Sequence, residues 1–173
     1  MGENKLSTPE ITEAKAQVDA CQAATDQTTS AQPVKAKLPK RLMALLALLT
    51  LASIVEKETG LASERPQIAG VFVRRLRKGM KLQTDPTVIY GMGERFDGNI
   101  RRKDLREDTP YNTYRNYGLP PGPICSPGRL AIRAVMQPAE TDFLFFVSRN
   151  DGSHKFSRTL REHNRAVNTF QKT

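Results

Sequence analysis

The 173-residue chain carries 27 lysines and arginines against 18 aspartates and glutamates, a formal charge of +9, and fits one domain of ordinary size plus a tail. Its two cysteines, Cys21 and Cys125, form no CxxC pair and no Cys/His cluster, which argues against a structural zinc site and leaves a Cys21–Cys125 disulfide open. The basic balance suits a polyanionic partner (nucleic acid, an anionic lipid surface or an acidic polymer) and equally a plain solvated surface.

Residues 1–40 read as a low-complexity segment rich in Ala, Gln, Thr, Ser and Lys. It holds too few large apolar side chains to offset the entropy of ordering, and is expected to be mobile. No apolar run marks a signal peptide at its start. Residues 41–173 read as the folded domain. Leu42–Val55 is an apolar run of 14 residues, short of the roughly 18–20 that span a membrane. It therefore predicts a buried helix over Leu42–Thr59, apolar on every side until Ser53 and stopped by Gly60.

A second helix is expected after Ser63 as N-cap, with Pro66 near its start and an apolar stripe of Ile68, Val71, Phe72 and Leu76, ending at Gly79. Met80–Asp85 is extended. Asp85-Pro86 starts a short helix through Tyr90, ended by Gly91 and Gly93. Residues 94–128 are loop-rich, with one short helical piece near Arg102–Arg106; 35 residues are too many for plain connection and suggest a binding surface. Ser126-Pro127 starts a helix through Met136. Phe143–Ser148 reads as a strand, Asn150-Asp151-Gly152 as a turn and His154–Ser157 as the returning strand. Thr159–Gln171 closes the chain as an amphipathic helix. The sum is α+β: one helix-dominated domain with a small β-hairpin and a long loop-rich binding region.

The sharpest chemical feature is Glu58. Residues 51, 54, 55 and 58 share one helix face, so Glu58 extends the stripe of Leu51, Ile54 and Val55 by one turn. Glu56 lies about 160° away around the axis and cannot share the same pocket. A carboxyl aligned with a core stripe is partly desolvated, which raises its pKa and suits it to act as a general acid near neutral pH. The same three residues Glu56, Lys57 and Glu58 are also what a solvated helix end looks like.

The run LASIVEKETG followed by SERPQIAGVFVRRLRKGMKLQTDPTVIYGMGER closely resembles the MltG/YceG-like endolytic murein transglycosylases. So do YNTY at 111–114, GLPPGPI at 118–124, SPG at 126–128, FLFFVS at 143–148 and GSHKFSRTLREHN at 152–164, together covering about residues 50–165. The resemblance implies that Glu58, the second Glu of VEKET, is catalytic. It would protonate the β-1,4 bond between N-acetylmuramic acid and N-acetylglucosamine, then take the proton of the muramoyl C6 hydroxyl as a 1,6-anhydro ring closes. It also implies glycan strands as substrate, peptidoglycan synthases as neighbours, no cofactor, and a place at the periplasmic face of the plasma membrane. Family members carry an N-terminal anchor and a LysM-like subdomain that residues 1–40 do not match. A non-catalytic peptidoglycan-binding or scaffold module is therefore the alternative.

Gln83, Thr84 and Asp85 match a family block and could bind sugar hydroxyls or orient Glu58; alternatively Asp85 caps the helix at Pro86. Tyr111, Asn112, Thr113 and Tyr114 could hold a sugar or form a self-bonded turn. His154 could line the cleft or be structural, and His163 reads as structural. The basic residues of 74–81 and 101–106 could meet stem-peptide carboxylates, anionic lipid heads or only solvent. Gln137 stands where the family commonly has His, and Cys125 where small or apolar residues are usual; neither change is expected to abolish catalysis. No helix-turn-helix, RNP-type aromatic motif or zinc spacing supports a nucleic-acid partner, and no pyridoxal-phosphate fold has room here.

Overall fold

A computed structural model of the chain describes residues 39–171. Cys21 and nearly all of the segment expected to be mobile lie outside them. The first helix, α1 (Lys40–Glu58), follows the apolar run. Its burial is not uniform, against the expectation that the whole run sits in the core. Thr50 to Val55 are buried, whereas Leu42, Met43 and Leu45 keep 45%, 50% and 51% of their surface exposed.

Helix α2 (Arg65–Arg77) starts with Pro66 in its first turn, where a missing N–H costs nothing. Its N-cap is Glu64 rather than Ser63, and the Glu64 side chain does not cap; its carboxylate is taken up elsewhere, by His154. Helix α3 (Asp85–Met92) runs past Gly91 to Gly93, whose φ of 56° ends it. Gly91 packs against Thr109 and Tyr111, so it serves close approach, not termination. Helix α4 (Arg129–Met136) begins after Gly128, slightly later than Ser126-Pro127 suggests. Short 3-10 turns at Gly93–Arg95 and Asp104–Arg106 interrupt the loop region.

Strands β1 (Phe145–Ser148) and β2 (His154–Ser157) form an antiparallel hairpin in the register Phe145 with Ser157 through Ser148 with His154. Helix α5 (Leu160–Phe170) opens on a capping box between Thr159 and Glu162. The architecture is thus α+β, with five helices and one two-stranded sheet among the described residues.

The core joins Leu51, Ala52, Ile54 and Val55 of α1 to Ile68, Ala69 and Phe72 of α2, Ala131 and Ala134 of α4, and Leu82 and Ile124 from the connections. Small residues on the facing helices allow close approach. Gly70 carries this furthest: a Cβ there would collide with the carbonyl of Ala139. The long loop is drawn onto α1 by Ser53, whose hydroxyl accepts the Ile124 N–H at 2.9 Å. The Cys125 thiol donates to the Ser53 carbonyl at 3.4 Å. The hairpin is fastened to α2 by Arg75, whose Nε donates to the Leu144 carbonyl at 2.6 Å, and by Phe72 and Phe146, edge to face at 5.7 Å. No helix among the described residues is long and apolar enough to cross a membrane.

Candidate active site

Glu58 is the last residue of α1, so its side chain projects where the helix ends and the apolar packing opens. It reaches a cavity of about 460 Å³ walled by the Leu82–Asp85 segment, Arg75, Tyr114, β1 and the inner side of α5. Burial pushes the Glu58 carboxyl up to about 7; Asp85 adds to the rise, while the Thr84 hydroxyl and Arg75 hold it down. This is the direction that alignment with Leu51, Ile54 and Val55 implies. Glu56 points the other way. Its carboxylate accepts from Arg65 at 2.8 Å and from the Gly128 N–H at 2.9 Å, tying α1 to the starts of α2 and α4.

The Gln83-Thr84-Asp85 block lies in the cavity wall beside Glu58. The Thr84 hydroxyl donates to the Glu58 carboxylate. Thr84 is itself held from behind: its N–H donates to the Thr113 hydroxyl at 3.0 Å, and the Thr113 and Thr87 hydroxyls meet at 2.9 Å. Asp85 is the first residue of α3, with Thr84 as N-cap. Its carboxylate accepts from the Tyr114 hydroxyl at 2.5 Å; burial, and then this bond, drive the Tyr114 pKa up. Gln83 has a φ of 51°, a left-handed conformation that costs a non-glycine residue about 1–2 kcal/mol. Its N–H donates to the Thr113 carbonyl at 3.2 Å, which helps hold that turn.

The YNTY block divides. Only Tyr114 lines the cavity. Asn112 is buried, and its amide donates to the carbonyls of Asp104, Leu105 and Glu107 while its oxygen accepts the Tyr114 N–H. It therefore organises the loop. Thr113 is buried behind Thr84, and the Tyr111 ring packs on Tyr90 with centroids 4.7 Å apart. For Asn112 and Thr113 the geometry is that of the self-bonded turn, their polar atoms being used internally, and Tyr111 does not line this cavity.

His154 lines the cavity at the start of β2. The Glu64 carboxylate accepts the His154 N–H at 2.9 Å and meets its Nδ1 at 2.7 Å. His163, expected to be structural, lines the same cavity and stacks on Phe145 with centroids 5.3 Å apart. Burial and the nearby Arg75 lower its pKa. The chain has two histidines, and both face the space around Glu58. Among the described residues no group of His, Cys, Asp or Glu side chains is arranged to hold a metal ion.

The YceG-like family profile matches residues 6–169. The chain belongs to the YceG-like family. It is 43% identical over 153 residues to the endolytic murein transglycosylase of Bacillus subtilis strain 168, covering 88% of this chain and 42% of that protein. It is 34% identical over 166 residues to the endolytic murein transglycosylase of Streptococcus pneumoniae serotype 2 strain D39, covering 93% of this chain and 30% of that one. The crystal structure of a yceG-like protein from Listeria monocytogenes superposes with a TM-score of 0.68 at 40% identity, covering 95% of this chain and 51% of that one. The chain thus spans between about a third and a half of these relatives. The family match begins at residue 6, well before the blocks that carry the resemblance, so it takes in most of the segment expected to fall outside the family.

Within this YceG-like domain, several wall residues besides His163 are not legible as such in the sequence, Arg75 and Phe145 among them. Arg75 looks like one of a solvated basic run in the sequence, yet it is buried, donating to the carbonyls of Lys81, Leu82 and Leu144. Phe145 lies under its guanidinium at 5.1 Å. The signal available in the sequence is positional: Arg75 follows Ile68, Val71 and Phe72 on the buried stripe of α2.

Proposed function

We propose that the chain carries the catalytic centre of an endolytic murein transglycosylase, with Glu58 as acid and then base. The observation that carries this reading is a carboxyl raised to about 7, set in a cavity wide enough for a sugar and flanked by the hydroxyls of Thr84 and Tyr114. Near neutral pH such a group holds its proton in a large fraction of molecules, as a general acid must. The names of the relatives supply the substrate, murein, and hence the cell envelope as the place of action.

In the first step the Glu58 proton passes to the glycosidic oxygen between N-acetylmuramic acid and N-acetylglucosamine. The C1–O bond breaks, and an oxocarbenium-like sugar forms. The Glu58 carboxylate then removes the proton of the muramoyl C6 hydroxyl, whose oxygen bonds to C1. The anhydro ring closes, the acid is restored and no water is consumed. One carboxyl suffices because the nucleophile belongs to the substrate, unlike the paired carboxylates of ordinary glycosidases. Thr84 orients Glu58, and Thr113 and Thr87 orient Thr84. Gln83, Asp85, Tyr114 and His154 offer hydrogen bonds to the sugars. Peptidoglycan synthases are the expected neighbours, and the periplasmic face of the plasma membrane the expected site.

The test compares the chain with Glu58→Gln on uncrosslinked glycan strands, with products read by mass spectrometry. Internal fragments ending in 1,6-anhydro-muramic acid, made by the native chain alone, are expected. Products with ordinary reducing ends would mean hydrolysis and would overturn the ring-closing step. Binding of strands with no products from either chain would favour a peptidoglycan-binding module.

A further inference from the structure

The hairpin builds one wall of the cavity, and its polar groups are set in a complementary pair. Arg149 donates its N–H to the Ser153 carbonyl at 2.9 Å, closing the turn. Ser148 and His154, the next pair inward, then fall in the antiparallel position whose strands do not exchange hydrogen bonds and whose side chains approach most closely. Both line the cavity. The His154 N–H points away from β1 and is taken by Glu64.

The proton positions on these two side chains follow from their partners. An ionised carboxylate accepts only, so the 2.7 Å contact of Glu64 with Nδ1 places the proton of a neutral His154 on Nδ1. Nε2 is left as an acceptor with no protein partner among the described residues. The Ser148 hydroxyl accepts the Asn150 N–H at 3.1 Å, which occupies a lone pair and leaves its O–H free to donate. The Asn150 side chain donates to the Phe170 carbonyl at 2.6 Å, which ties this turn to the end of α5. Beside them stands Phe146, edge to face with His154 at 5.5 Å.

A fixed acceptor, a fixed donor and an apolar ring side by side match a secondary amide carrying a small apolar group. We propose that Ser148 and His154 read a secondary amide of the substrate: His154 Nε2 accepts its N–H, the Ser148 hydroxyl donates to its carbonyl and Phe146 packs on its apolar part. Glu64 is the positioning residue that holds the proton on Nδ1, so that the neutral ring offers Nε2 as the acceptor. This rests on the substrate class proposed above. Two parts of murein present such amides: the N-acetyl groups of the sugars and the peptide bonds of the stem.

The tautomer is read first, without substrate, by nitrogen-15 NMR of the full chain. Nδ1–H is expected at His154 in the native chain. In Glu64→Gln the carboxamide can donate to Nδ1, and a gain of Nε2–H is expected. Nε2–H in the native chain, as the other tautomer or as an imidazolium, would overturn the proposal. Binding is then titrated in the Glu58→Gln background, so that nothing turns over, using the tetramer of N-acetylglucosamine, its de-N-acetylated counterpart and a free stem tetrapeptide. Sugar amides as the source predict that only the acetylated tetramer moves the His154 signals, with affinity lowered about tenfold by Ser148→Ala and by Glu64→Gln. Stem amides as the source predict the same response from the tetrapeptide alone. Equal binding of acetylated and de-acetylated tetramers without peptide binding, binding unchanged in both variants, or no binding of any probe at millimolar concentration each refutes the amide reader. The glycan-strand assay stands apart from this: anhydro products from the native chain, made equally well by Ser148→Ala and Glu64→Gln, would sink the amide reader and leave the transglycosylase reading intact.

Discussion

The two halves of α1 are alike in composition and opposite in surroundings. Leu42 to Leu49 is a run of apolar side chains, and Leu51 to Val55 is apolar but for Ser53. Yet only the second is enclosed, by α2, α4 and the loop anchored at Ser53; in the first, Leu42, Met43 and Leu45 are exposed and Leu46, Leu48 and Leu49 only half-buried. Apolar content tells which residues can be buried; which of them are buried depends on where the partner elements end. The same contrast recurs over one turn at the helix end. Glu56 and Glu58 are chemically identical, but Glu56 spends its carboxylate on Arg65 and Gly128, while Glu58 faces a cavity with one hydroxyl donor.

Four measurements sharpen or break this contrast. The largest effect belongs to Glu58→Gln, which should lower turnover of glycan strands about a thousandfold, the middle of the range for a general acid–base group. The native rate should fall as pH rises above about 7, because the protonated acid is consumed there; a rate that climbs through pH 8 would contradict the acid role. Next comes Ile54→Ala, fully buried in the enclosed half, which should cost about 2–5 kcal/mol in urea unfolding. Leu45→Ala in the exposed half is the paired control and should cost under about 0.5 kcal/mol. Equal losses at the two positions would mean that the exposed half is covered in solution.

The third measurement sets the two carboxyls apart by stability against pH. Glu58 has a folded pKa near 7 against an ordinary 4.5. Below pH 4.5 both folded and unfolded chains hold the proton, and the residue costs nothing. Between these values the unfolded chain releases it first, so stability falls as pH rises. Above about 7 the cost levels off at up to about 3 kcal/mol. Glu58→Gln should therefore stabilise the fold at pH 8, with the gain vanishing toward pH 4.5. Glu56→Gln should instead destabilise by about 1–2 kcal/mol at neutral pH, since it weakens two charge-assisted bonds. The smallest effect is expected from Thr84→Val: loss of its hydroxyl moves the Glu58 pKa further up, seen as a shift of the titrating carboxyl signal in NMR.

Much of the fold is local and was readable. The continuous apolar run placed α1, the 3.6-residue period placed α2 and α5, the Asn150-Asp151-Gly152 turn placed the hairpin, and helical geometry put Glu58 on the stripe and Glu56 off it. The YNTY block shows where such reading stops. A sequence gives Asn112 the groups to bind a sugar, and only the fold reveals that the carbonyls of Asp104, Leu105 and Glu107 have taken them. Arg75 misleads in the opposite direction, as a member of a basic run that the hairpin covers.

The elements and the alignment of Glu58 with the core stripe are written in the sequence, because they depend on neighbours within a turn or two along the chain. Tertiary structure alone decided the pairing of Glu64 with His154, the support of Thr84 by Thr113, the burial of Arg75 and the exposure of the first half of α1. Those relations join residues distant in the chain. A hydrogen bond between them depends on angstrom-scale placement of whole helices and strands, which no local pattern encodes.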